Sequence, residues 1–285
     1  DLSFTSTAGS NNTVVFGYVN TGSPTNETIS NNRFSNFSIA GTGTSTTSLI
    51  YGIYSNSTTS TKKFSGNQIN DFNYSNSSTG SVVISGIHNL LGTNVEIFKN
   101  KIYNLSANGV SSVVNGIQIA SLSTGGSVTV YNNLISNLNA PTASIADAVR
   151  GIASAVTATN SKINLYYNTI YLNATSSGTN FGTSGVFHTV STVATTGTLD
   201  MANNIIINES TANGGGFTAG LRRSGAALTN FATTSNRNLL YAGVPSANNT
   251  IYYNGTTGYS TMLDYQGAVL PREVNSLTGE MGFIT

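Results

Sequence analysis

Two histidines, ten carboxylates and eleven lysines and arginines are the side chains here best suited to chemistry, and cysteine is absent. Without thiols there is no disulfide, no thiol nucleophile and no thiolate metal site. Cleavage of an acidic polysaccharide needs clustered carboxylates, as acid and base or as calcium ligands, beside a basic residue. The acids here are scattered along the chain, and Glu96 and Asp200, which occupy equivalent places, fall in separated repeats. This spacing predicts no catalytic residue, no metal site and no cofactor. His88 and His188 read as surface or turn residues. Lys62-Lys63 and Arg222-Arg223 read as solvated strand edges. Gly214-Gly215-Gly216 precedes no helical pattern and so is not a phosphate loop.

Binding residues are better represented. Tyr54, His88, Gln118, Phe187 and Arg222 each stand two positions after a glycine, in one series with Val19 and Ala153. Phe98, Tyr131 and Tyr166 each stand two positions before an asparagine. Aromatic faces of this kind stack on sugar rings or on one another. For the second series, stacking between neighbouring strands is the plainer role. The arginine could contact an acidic sugar.

A repeat must position these series. VEIFKNKIYNL (95–105), VTVYNNLISNL (128–138), INLYYNTIYLN (163–173) and LDMANNIIINE (199–209) share one template: two apolar residues in alternation, then asparagine, then an apolar residue two further on. The asparagines are Asn32, Asn67, Asn100, Asn133, Asn168, Asn204 and Asn238, spaced 35, 33, 33, 35, 36 and 34. A glycine followed by an apolar or aromatic residue keeps the same period, at Gly17, Gly52, Gly86, Gly116, Gly151, Gly185 and Gly220. Alternation with a period of two, frequent Gly, Asn, Ser and Thr, and no leucine framework exclude helical and leucine-rich repeats.

The pattern predicts an all-β fold, a right-handed parallel β-helix of about seven coils with repeats of about 34 residues over 1–238. Each coil would hold three strands: one at the glycine, one before the asparagine and one after it. Ile87, Val95, Ile97, Ile102 and Leu105 should face inward in one coil, and Ile117, Val128, Val130, Ile135 and Leu138 in the next. Loops such as 75–83, 106–114 and 139–149 should precede the glycine strand. The asparagines should take the left-handed bend between strands, which Asn tolerates. Their amides should bond from coil to coil as a ladder. Asn36, Asp71, Asn104, Asn137 and Asn208 suggest a second ladder, broken at Leu172. After Asn238 the pattern dissolves, and 239–285 reads as a capping or junction segment packed by Tyr252, Tyr253, Tyr259 and Tyr265.

Hydrophobic residues make up 38% of the chain and charged residues only 7%, with a formal net charge of +1. That balance offers no electrostatic case for nucleic acid or anionic membranes, and no apolar run is long enough for a membrane helix. Low charge, abundant Ser, Thr and Asn, and no Cys point to an extracellular setting. The start DLSFTSTAGSNNTVV reads as the beginning of a mature or excised segment of a longer protein.

The N-x-I-x-N-L coils resemble right-handed parallel β-helix repeats of secreted bacterial proteins. The ending N-L-L-Y…Y-S-T-M-L-D-Y-Q…E-V-N-S-L is similar to a closing segment of large surface proteins of the Bacteroidetes, often exported by type IX secretion. That resemblance implies an extracellular or cell-surface module beside neighbouring domains, in proteins that include adhesins and carbohydrate-active enzymes. The expected function is a non-catalytic adhesive or structural module contacting a polysaccharide or surface glycan. Two alternatives stand beside it: a polysaccharide lyase or glycoside hydrolase, and a fibre subunit associating end to end.

Overall fold

The computed structural model describes residues 2–6, 13–41, 47–75 and 81–281. Among the described residues three sheets run along the stack, with eight strands in sheet A, nine in sheet B and six in sheet C; all pair in parallel except the last strand of sheet B, Gly258–Tyr259, which is antiparallel. One coil comprises Ser81–Leu90 in sheet B, Asn94–Phe98 in sheet C and Lys101–Ala107 in sheet A. The next comprises Ser111–Ile119, Ser127–Tyr131 and Leu134–Asn139. Coils pair in parallel with equivalent residues opposite, as in Ile87↔Ile117, Val95↔Val128 and Ile102↔Ile135. This is a parallel β-solenoid of about seven turns. The predicted inward residues of both coils are buried in one continuous core, each worth about 1.5–3 kcal/mol of hydrophobic stabilisation.

Glycine marks a slip in the strand alternation of sheet B. Ile84 and Ile87 both face in, and the pairing passes from Tyr51↔Ser85 to Ile53↔Ile87 over the glycine between them. A Cβ on Gly116 would lie 2.6 Å from the Gly151 carbonyl oxygen and 2.6 Å from Ile135 Cγ2. Sheets A and B approach so closely there that no side chain fits. Close approach, rather than an unusual φ, therefore accounts for the seven-fold recurrence of glycine.

The asparagine ladder is present at all seven predicted positions. Asn133 Nδ2 donates to Asn168 Oδ1 at 2.9 Å and to the Ile97 carbonyl at 2.8 Å. Its own Oδ1 accepts from the Asn100 backbone N–H and from Asn100 Nδ2. The left-handed bend, however, falls one residue earlier, on Asn31, Gly66, Lys99, Asn132, Tyr167, Asn203 and Arg237. The ladder residue itself is held by its amide bonds and not by its tolerance of positive φ. The second ladder is real but shorter. Asn36, Asp71, Asn104 and Asn137 adopt positive φ, and amides link Asn104 to Asp71 and Asn137 to Asn104. Asn208 does not belong to it. That coil lacks the left-handed residue, so Asn208 turns inward and binds Thr183 and the Ala219 carbonyl.

Connections before the glycine strand include 140–148 and 173–182, as expected for 139–149, while 108–110 is shorter than the expected 106–114. Most of 75–83 lies outside the described residues. Long connections also follow the glycine strand, at 120–126 and 189–197. Beyond Asn238, Leu239–Tyr241 and Asn249–Tyr253 continue sheets A and B, and the short helix Met262–Val269 follows. Tyr252 stacks on Tyr259 and meets Tyr265, and Tyr252 and Tyr265 are buried. Ser276 takes the next ladder place and accepts the Asn238 backbone N–H at 2.9 Å, while the buried Glu273 carboxylate accepts from Asn238 Nδ2. Burial pushes the Glu273 carboxyl up to about 7, against the lowering effect of its bonds to Ser276 and Asn238.

Candidate functional site

The outer face of sheet B gathers the first predicted series. Tyr54 pairs with His88, His88 with Gln118, Gln118 with Ala153, Ala153 with Phe187, and Phe187 with Arg222. Tyr253 extends the column by one coil. Alternation places these side chains outward, and all but Ala153 are partly exposed. A second outward column stands one step before each glycine and holds Phe16, Tyr51, Ser85, Asn115 and Arg150.

Aromatic character concentrates at the two ends of this face. At one end Tyr51 stacks on His88 at 4.6 Å, and Phe16 on Tyr54 at 5.0 Å. Burial holds the His88 ring down to about 4 and lifts the Tyr51 hydroxyl to about 12, so both are neutral at pH 7. At the other end Arg150 lies over Phe187 and Arg222 over Tyr253, which stacks on Phe217 at 4.2 Å. Asp147 joins them, accepting from Arg150 Nε at 2.8 Å and Ser184 Oγ at 2.8 Å, with Arg222 Nε at 3.8 Å. Two guanidiniums against one carboxylate leave this end with one excess positive charge. Planar faces with an unneutralised guanidinium can hold a sugar ring and an acidic substituent. Arg222 is thus a partly buried member of a network instead of a solvated edge.

The second predicted series is also one column. Phe98 pairs with Tyr131 and Tyr131 with Tyr166. Phe98 and Tyr131 stack at 4.7 Å with planes 4° apart. Tyr166 donates its hydroxyl to Asp200 Oδ2 at 2.9 Å. These contacts between coils favour a supporting role on the outer face of sheet C. Glu96 and Asp200 share one column but are separated by Thr129 and Asn164, so they form no acid pair. Glu96 instead meets Lys63 at 3.2 Å. Among the described residues no group of three His, Cys, Asp or Glu could hold a metal.

Several charged and polar residues lie inside the coil, where composition alone gave no hint of them. His188 and Arg223 pair in register and are both buried. His188 sets its Nε2 against the Gly197 carbonyl at 2.8 Å, and its Nδ1 accepts from Arg223 Nε at 3.3 Å. Burial, with Arg223, drives His188 down to about 3. It is a neutral interior residue and not a surface one. Arg223 likewise is no solvated edge, since it binds the Ala227 carbonyl and Asn230 Oδ1 within the coil. Lys62 is fully buried, and only Lys63 is exposed. Glu27 and Lys62 pair in register in the column continued by Val95 and Val128.

Counting from the markers would have found each of these. Glu27 and Lys62 stand five before a ladder asparagine, as Val95 and Val128 do. His188 and Arg223 stand three after a glycine, on the inward side. The chain matches no protein-family model, no curated protein and no solved structure.

Proposed function

We propose that the module is a non-catalytic, extracellular β-solenoid that binds an extended glycan along the outer face of sheet B, serving adhesion or surface structure. The observation that carries this reading is the shared column of Tyr54, His88, Gln118, Phe187, Arg222 and Tyr253, interrupted by the buried Ala153, on one partly exposed face. Successive coils repeat at ~4.8 Å, so a linear polymer lying along the stack would meet a new side chain at each coil except that of the buried Ala153. The Arg150–Arg222–Asp147 end, with its surplus positive charge, favours acidic sugars. The low charge of the chain and its closing segment, similar to those of Bacteroidetes surface proteins, support a secreted setting with type IX export.

A glycan array and a panel of neutral and acidic polysaccharides test this reading. Binding to an acidic polysaccharide is expected, weakened at least tenfold by replacing Phe187 and Arg222 with alanine, with the polymer left intact. Depolymerisation by the purified chain would establish the lyase or hydrolase alternative instead. No binding to any polymer would remove the glycan role.

A further inference from the structure

The interior cluster around Lys62 sets a lysine ammonium against a carboxamide inside the coil. Lys62 and Asn89 are fully buried, Ser55 likewise, and Glu27 nearly so. Lys62 Nζ lies 3.2 Å from Asn89 Oδ1, 2.8 Å from Ser55 Oγ and 2.8 Å from the Leu90 carbonyl. Ser55 Oγ donates in turn to Glu27 Oε2 at 2.8 Å, and Ser57 Oγ reaches the same oxygen at 3.0 Å. No carboxylate comes within ion-pair distance of Lys62 among the described residues; the serine stands between. The lysine stem is confined as well, because a Cβ on Gly92 would sit 3.0 Å from its Cε.

From this geometry we propose that Lys62 and Asn89 join spontaneously in an intramolecular isopeptide bond, with Ser55 and Glu27 as the proton relay. In the first step the Lys62 ammonium passes a proton through Ser55 to Glu27. Burial favours this step, since it has already lowered Lys62 to about 8. The neutral Nζ then attacks Asn89 Cγ and forms the new C–N bond. As the tetrahedral centre collapses, the Cγ–Nδ2 bond breaks and a second Nζ proton moves to Nδ2, which departs as ammonia. The proton held on Glu27 leaves with it as ammonium, so the carboxylate is regenerated. No oxidant, metal or cofactor is required. The product removes the lysine charge from a column that holds Glu27 on one side and continues through Val95, Val128 and Ile163 on the other.

Intact mass spectrometry of the folded chain, followed by tryptic mapping, tests the bond. The expected mass is lower than the sequence mass by about 17 Da, one ammonia. The map should contain a branched peptide joining residues 34–63 to 64–99, and it should be absent from Glu27→Gln and Lys62→Met. An unchanged mass for the wild-type chain overturns the proposal, and that measurement depends on no variant folding. A loss located instead at an Asn-Gly step such as Asn108-Gly109, as a succinimide, also overturns it. A branched peptide persisting in Glu27→Gln would overturn the assigned relay.

Discussion

Glu273→Gln should make the protein more stable at neutral and alkaline pH while leaving it unchanged in acid. Glu273 is fully buried beneath the last ladder rung, and its carboxyl is raised from 4.5 to about 7, chiefly by burial. A raised carboxyl means the folded state prefers the protonated form. Its contribution is therefore fully present below pH 4.5 and is lost as pH rises through about 7. A shift of that size corresponds to about 3 kcal/mol. Glutamine reproduces the protonated acid, offering an N–H toward Ser276 Oγ and a carbonyl to Asn238 Nδ2. Thermal melts of both proteins from pH 4 to 9 should coincide at the acid end and separate by roughly 5–10 °C at pH 8. His88 and His188, held low by burial, act oppositely between about pH 3 and 6.5 but in both proteins equally. A separation that does not change with pH would refute the assignment of a protonated Glu273.

Asn133→Ala strands two buried backbone groups, the Asn100 N–H and the Ile97 carbonyl; denaturant titration should read a loss of about 3–5 kcal/mol. Asn32→Ala, at the exposed first rung, should cost about 1 kcal/mol or less by the same assay. Gly116→Ala should destabilise by at least about 2 kcal/mol, because its Cβ meets backbone and a packed isoleucine. Gly267→Ala, within the helix and with open space around it, should stabilise the cap by about 0.5–1 kcal/mol in differential scanning calorimetry.

The coil was legible in the chain because inward packing and ladder bonding recur at every turn. Each copy of Asn, Gly and Ile repeats the same constraint, so Asn100 and Gly86 could be placed before any coordinates. The position of the left-handed residue was only partly legible: Asn31, Gly66, Asn132 and Asn203 suit positive φ, whereas Lys99, Tyr167 and Arg237 carry no signal for it. Residue type alone places Lys62 and Arg223 outside, and the fold buries both. Buried lysines and arginines are rare, yet both stand at inward places, and the interior supplies neutral acceptors for each. The two columns on sheet B and sheet C were visible as spacing, whereas Asp147 joins its arginines only through folding of the connection that carries it.

The ladder is also a one-way seam. At every rung the donors belong to the earlier coil and the acceptor to the later one, from Asn32 through to Asn238. At its last rung both donors are already spent on Ser276 and Glu273. The seam therefore has a polarity, and the segment after Asn238 closes its donor end with acceptors of its own.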